Sequence, residues 1–369
     1  MIPSILKSLR PEDIAFLVTN FQYSKDNSYN FGRLFPAKQT ATLNWHVAEG
    51  AVNRVVAADI VARGASIAVK GREGMGRISG DIPKIAVSRI MNEDDYYELQ
   101  SLLHQYQGNA EAVNFINMWA DDYKYCYDGV MSRLEWIAMR SISQGKLSLS
   151  TLNNLGVASE TPVDYQLDSD QKMGVDTVYT GSSTSGKPFT KDIPEAIEAA
   201  KARGVDLTVM RMNRTTWARF IAQTEVINYC ASWLANKTST QATPSLADVN
   251  AYLTAHSDLY GGLQIEVVSS KTRFEAADGT QSTEYAFADN VIGFYGEGIQ
   301  GNTLWVRPID MDVADGAIKN MKEIMMFKRF AETDPVVEKT IAVANALPVW
   351  RQAPNCILMD VSATSWSIN

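Results

Sequence analysis

Between residues 109 and 145, apolar side chains return at every third or fourth position: Val113, Ile116, Ala120, Tyr123, Tyr127, Val130, Leu134 and Ile137. This spacing stacks them on one face of an α-helix. Asn109 can cap the start and Gly145 can close the end, so the pattern predicts one helix of about 35 residues, about 50 Å long at 1.5 Å per residue. A strut of that length must be seated along its whole apolar stripe, and this requirement shapes everything around it. A shorter helical piece comes first, with Tyr96, Leu99, Leu102, Leu103 and Tyr106 on one side. Asn92 followed by Glu93, Asp94 and Asp95 suits its N-terminus, where unpaired N–H groups carry partial positive charge.

Residues 1–37 carry a weak helical signal around Ile14–Val18 and then turn polar, which reads as an arm. From Lys38 to Ser88 the pattern is strand-like, with Thr40, Thr42, Leu43 and Trp45, then Val55 and Val56, Ile67 and Val69, and Ile78 to Val87, punctuated by glycines. That is an extended hairpin, marginal alone and in need of another surface.

After the long helix, strands are expected around Val163–Leu167 and Val175–Tyr179. A helix follows over Asp192–Arg203, with Asp192 as its cap, Pro194 in the first turn and Gly204 after the end. A buried strand over Val205–Met210, a helix over Asn213–Tyr229 and a short helix from Ser245 to Leu253 complete an α+β unit. The remaining pattern is strand-rich: Leu263–Val268, Ser282–Phe287, Val291–Tyr295, Thr303–Arg307, Ile324–Phe330, Val336–Ala344 and Cys356–Val361, with Asp278-Gly279 as a turn. Gly298–Asn302 and Asn236–Thr243 are expected to be loops.

At 369 residues with 46% hydrophobic and 21% charged side chains, the chain has the composition of a globular protein able to bury a large core. No apolar run approaches a membrane span, and the first residues do not form a leader pattern. Cys126, Cys230 and Cys356 are scattered and read as buried thiols, and three histidines without metal spacing make a zinc site improbable. A net charge of −8 excludes an ordinary DNA-binding domain, which needs clustered cations. Charge is nevertheless uneven: residues 54–91 carry +4 and residues 92–128 carry −7. Adjacent segments of opposite sign can neutralise each other within one subunit or meet between subunits.

Three motifs invite a chemical reading. Gly181-Ser182-Ser183-Thr184-Ser185-Gly186-Lys187 fits a phosphate-binding loop up to Pro188, which can neither ligate Mg²⁺ nor offer an N–H, so a flexible connection is favoured. Gly71-Arg72-Glu73-Gly74-Met75-Gly76 lacks dinucleotide spacing and a following helix, and reads as a hairpin tip. Asp310, Asp312 and Asp315 alternate like cation ligands but miss the calcium-loop pattern, and read as a solvated loop. No catalytic set has local support, and no cofactor or metal is expected.

Several stretches resemble the major capsid proteins of tailed bacteriophages, specifically the lambda-like capsid protein E family with its Hong Kong 97-type fold. Arg33-Leu34-Phe35-Pro36 before strands is similar to that family's entry into its E-loop. Asp192-Ile193 leading a helix, with Trp217-Ala218 in a later helix, resembles the start of its A-domain. Tyr260-Gly261-Gly262-Leu263-Gln264-Ile265 through Ala288-Asp289-Asn290 to Gly296 resembles its central strands. Thr333-Asp334-Pro335, Ala346-Leu347-Pro348 and Pro354-Asn355-Cys356-Ile357-Leu358 resemble its closing segment.

This resemblance runs in order over about residues 30–362 and implies an α+β fold with an N-terminal arm at 1–37 and an E-loop at 38–88. The P-domain, with its spine helix, is implied at 89–190, the A-domain at 191–334, and C-terminal strands returning at 335–369. It implies a non-enzymatic shell subunit that forms homo-pentamers and homo-hexamers of an icosahedral virion capsid assembled in the host cytoplasm. The shell would enclose double-stranded DNA without sequence-specific binding and without a membrane, and an acidic inner face would let the genome slide.

With fewer than 40 residues before the E-loop, a separate scaffolding protein is expected, together with a portal and a decoration protein. The Lys, Asn and Glu that crosslink some members of the wider fold find no match here. Because an E-loop of this fold lies over the neighbouring subunit, basic Arg63, Lys70, Arg72 and Arg77 are expected to meet a neighbour's acidic Glu93, Asp94, Asp95, Glu98, Asp121 and Asp122. The alternatives are an encapsulin-like nanocompartment shell and a nucleotide-binding protein built on the Gly181 run.

Overall fold

A computed structural model describes residues 29–48, 77–97, 110–147, 163–179, 184–233, 243–275 and 279–368. The spine helix spans Ala110–Gln144. Its inward stripe, from Tyr123, Cys126 and Tyr127 through Val130, Leu134 and Ile137 to Ile142, is buried. Each such side chain stabilises the fold by ~1.5–3 kcal/mol. Gly145 ends the helix at φ +73°, and its N–H donates to Ser141 O at 2.9 Å. A β-carbon there would also sit 2.4 Å from Leu167 Cδ1, so glycine is required twice over.

The seat for the spine is a six-stranded sheet. Its order is Ala37–Gln39, Gly301–Val306, Val336–Trp350, Met325–Thr333 and Ile318–Lys322, with Lys84–Met91 also paired to Val336–Trp350. Gly129 lets the helix settle on this sheet, because a β-carbon there would lie only 3.3 Å from Val87 Cγ1. A second, five-stranded sheet runs Lys172–Gly174, Cys356–Asp360, Val291–Tyr295, Val209–Asn213 and Gln264–Val268. Helices Ile193–Ala202, Arg214–Ile221, Thr224–Trp233 and Leu246–Ala255 pack around it, and Phe189, Phe220, Tyr252 and Phe294 fill a second core. Val336–Trp350 and Cys356–Asp360 lie inside the two sheets, so the chain's last strands hold both together.

The hairpin Lys271–Glu275 with Gln281–Tyr285 crosses the spine. Thr272 and Phe274 turn toward the helix, with Thr272 Oγ1 3.3 Å from Ser132 Oγ. The five-stranded sheet ends at Gln264–Val268, whose outer edge is closed by a side chain. Asn250 accepts the Ile265 N–H at 2.7 Å and donates to Ile265 O at 3.1 Å, as a neighbouring strand would.

Several sequence expectations are corrected. The expected strand at 175–179 does not form, because the N–H groups of Val175 and Tyr179 donate to Ala363 O and Val361 O in the C-terminal tail. The expected strand at 205–210 becomes Val209–Asn213, since Val205 N–H closes the preceding helix on Ala200 O. The helix expected over 213–229 breaks after Ile221. Gln223 there donates to Arg219 O and accepts the Gly186 N–H.

Asp192 is no cap: a π-helical turn over Pro188–Asp192 opens the helix. Its buried carboxylate accepts Tyr179 OH at 2.5 Å and Asp176 N–H at 3.0 Å. Strands Lys271–Glu275 and Ile318–Lys322 had no counterpart in the sequence pattern, and Gly301–Asn302 belong to a strand where a loop was expected.

Candidate intersubunit surfaces

The acidic half of the expected contact divides in two. Glu93, Asp94 and Asp95 are exposed on a helical turn over 93–97, where Asp95 accepts the Asn92 N–H at 2.9 Å. Asp121 is exposed on the spine. Asp122, one residue on, faces inward and is 7% exposed. It pairs with Arg89 at 3.2 Å and approaches Arg329 at 4.0 Å, so its expected role toward a neighbour is corrected to an ion pair within its own subunit. Burial pushes its carboxyl above the usual carboxylate range, and the two arginines oppose that shift. Arg329 is fully buried and donates to Glu338 at 2.8 Å and to Thr340 Oγ1 at 3.0 Å.

On the basic side, the antiparallel pair Asn44–Ala48 and Arg77–Asp81 is the part of the expected hairpin that lies within the described residues. Trp45 is 2% exposed there, and a β-carbon on Gly80 would stand 3.1 Å from its indole. Arg77 opens the returning strand, while Arg63, Lys70, Arg72 and the acidic Glu98 lie outside the described residues.

The phosphate-loop reading fails for a reason beyond Pro188. The helical turn begins directly after Lys187, but Glu225 occupies the place an anion would take. Its carboxylate accepts the N–H of Phe189 at 2.8 Å, that of Thr190 at 3.4 Å, and the Thr190 hydroxyl. Those donors are satisfied within the protein.

The three alternating aspartates are likewise matched by the chain's own cations. Asp310 pairs with Lys84 at 2.9 Å, Asp312 with Arg307 at 2.9 Å, and Asp315 with Lys319 and Lys328. The bonded lysines hold Asp310 and Asp315 below the usual carboxylate range. All three cysteines are free and buried, and burial pushes the Cys126 and Cys230 thiols up to about 12. Among the described residues no group of His, Cys, Asp and Glu could hold a metal, and no helix is long and apolar enough to cross a membrane.

One feature was missed by sequence reasoning. A groove of about 1010 Å³ runs between strand Lys84–Met91, the spine and hairpin strand Lys271–Glu275. At its hairpin end the Arg133 guanidinium lies 4.6 Å from the Phe274 ring and 5.4 Å from the Trp136 ring, with Arg140 on Trp136 at 5.5 Å. The sequence signal was present: Arg133, Trp136 and Arg140 are spaced three and four apart on one helix, which brings them together.

A spine helix seated on a β-sheet, a hairpin leading out of that sheet and a second sheet wrapped in helices make up the Hong Kong 97-type capsid fold. The chain is similar to a protein described as a prophage capsid protein of Escherichia coli CFT073, with TM-score 0.55 and 12% identity over 95% of this chain and 99% of that one. It is also similar to a phage-related protein of Bordetella bronchiseptica RB50, with TM-score 0.50 and 11% identity over 95% and 97% of the two chains. Residues 30–361 match the family model for phage major capsid protein E, and the chain belongs to that family. No curated protein matches it.

Proposed function

We propose that this tailed-phage major capsid protein assembles as homo-pentamers and homo-hexamers into an icosahedral shell enclosing double-stranded DNA, with no catalytic step of its own. The observation that carries the reading is the family match over residues 30–361. The arm, E-loop, P-domain, A-domain and returning C-terminal strands are assigned to 1–37, 38–88, 89–190, 191–334 and 335–369. A separate scaffolding protein, a portal and a decoration protein complete the head, which is built in the host cytoplasm.

The hairpin's Arg63, Lys70, Arg72 and Arg77 are proposed to meet a neighbour's Glu93, Asp94, Asp95, Glu98 and Asp121. Support comes from the exposure of Glu93, Asp94, Asp95 and Asp121. Each rim pair contributes only ~0–1 kcal/mol, so these contacts select register while apolar burial supplies affinity. The patches differ, so the contact is heterologous and closes into rings.

Electron microscopy of the expressed chain, alone and with its scaffold gene, tests the reading. Shells, tubes or rings are expected, and a strictly monomeric protein in both samples overturns it. Reversing Arg72 and Arg77 to glutamate should lower shell yield with the subunit still folded.

A further inference from the structure

Two open strand edges line the groove. Lys84–Met91 pairs along one edge with Val336–Trp350, and among the described residues no strand lies on its other edge. The opposite wall, Lys271–Glu275, pairs along one edge with Gln281–Tyr285 and likewise has no second neighbour among the described strands. Edges of this kind offer backbone donors and acceptors to an extended chain. At Gln264–Val268, by contrast, Asn250 closes the edge from within.

The lining defines the chain that fits. Lys84 and Arg89 are paired with Asp310 and Asp122, and Arg133 is engaged within the protein. That leaves Lys124 and Arg273 against Asp121, Asp128 and Glu275, a nearly neutral lining with one carboxylate in excess. Half-buried Ile85 and Val87, with Tyr125 at 53% exposure, supply apolar surface. Asp121 adjoins Asp122 at the Arg89 end, whereas Glu275 follows Phe274, whose ring lies on Arg133 about 18 Å further along the spine at 1.5 Å per residue. A matching strand is uncharged along its body, apolar at alternate positions and cationic at its ends.

The sequence contains such a strand outside the described residues. Gly64-Ala65-Ser66-Ile67-Ala68-Val69 is uncharged and is bounded by Arg63 and Lys70. In extended form, with a period of two, Ala65, Ile67 and Val69 share one face and the small Gly64, Ser66 and Ala68 share the other. Arg63 and Lys70 then stand about 23 Å apart at 3.3 Å per residue, close to the spacing of the two ends of the groove.

We propose that residues 64–69 of one copy add as a strand to the groove of a second copy, with Arg63 and Lys70 reaching Asp121 and Glu275 at its two ends. This rests on the neighbour contact proposed above and deepens it. Ion pairs at a rim set register, and the uncharged stretch between the two cations supplies the apolar burial and backbone pairing.

The first test uses the unassembled full-length chain and a fluorescein-labelled peptide of residues 63–70, read by anisotropy. Saturable binding is expected, with the Ile67→Glu peptide at least about tenfold weaker. N-methylation of alternate peptide bonds should abolish binding with every charge kept. Tyr125→Ala in the protein should weaken binding severalfold with an unchanged circular dichroism spectrum. The second test oxidises shells that carry both Ala68→Cys and Ala86→Cys, the native cysteines being buried. A ladder of linked copies is expected on a denaturing gel, with neither single variant giving it.

No binding up to millimolar peptide, equal binding of the Ile67→Glu peptide, or shells without a cross-link would overturn the proposal. A link closed within one chain would assign the segment to its own groove and overturn it as well. Peptide binding by a chain that forms no shell, ring or tube would sink the shell reading and leave this contact standing, so the two fail separately.

Discussion

From the last third of the spine, Glu135 accepts the backbone N–H of Phe31 at 2.8 Å, across 104 positions of sequence. Its other oxygen accepts the Ser270 hydroxyl at 2.8 Å, so one buried carboxylate joins the base of the N-terminal segment, the spine and the turn before the hairpin. Glu135→Ala leaves a buried donor unmatched and should destabilise by ~1–3 kcal/mol in urea unfolding followed by tryptophan fluorescence. Glu135→Gln keeps an acceptor and should cost well under half of that.

Burial raises the Glu135 carboxyl above its ordinary value. The folded state therefore favours the protonated form, and this group's contribution is greatest below the unfolded value and is lost as pH rises through the folded one. The glutamine variant has no such loss. Its stability relative to the parent should rise as pH is raised from about 4 to about 7; a gap that stays constant over that range, measured by urea midpoints, would refute the assignment.

Arg329 is the cation among Asp122, Glu338 and Thr340. Arg329→Met strands Glu338 in the interior and should cost ~3–5 kcal/mol, whereas Asp121→Asn on the exposed face should stay within ~0.5 kcal/mol. Chemical denaturation of the two variants side by side checks both figures.

Gly174 faces the tail so closely that a β-carbon would lie 2.3 Å from Ser365 N. Neither backbone can yield cheaply, so Gly174→Ala should push residues 362–368 off the body and cost ~1–3 kcal/mol. Trp366 packs against the core in the parent, so the variant should be cut there quickly by chymotrypsin and the parent slowly.

Asn250→Ala should cost ~1–2 kcal/mol and open the edge of Gln264–Val268 to other strands. Light scattering on warming should detect aggregation of this variant before that of the parent.

The spine was legible because a single period persists through many turns, and tertiary packing did not override it. The helix start at Ser245 and the close at Gly145 were legible too, since local chemistry decides them. Where expectations failed, a distant partner had intervened: the C-terminal tail took the N–H groups of Val175 and Tyr179, and Gln223 broke a helix by reaching the 186 loop. Among the candidate contact residues, Asp121 and Asp122 are neighbours of the same charge on one helix. Only the sheet beneath them, through Arg89 and Arg329, decides which turns inward. The groove was hidden for the same reason, because its walls are separated by nearly two hundred residues.

The strands that seat both sheets, Val336–Trp350 and Cys356–Asp360, leave the ribosome after every element they organise. A nascent chain therefore carries its spine and helices before either sheet is complete: the first lacks its central strand until residue 350, and the second lacks Cys356–Asp360 until residue 360. A polypeptide stalled earlier has no finished surface to offer. For a lattice that must exclude defective tiles, this order of synthesis acts as inspection: an incomplete subunit lacks the shape that admits it.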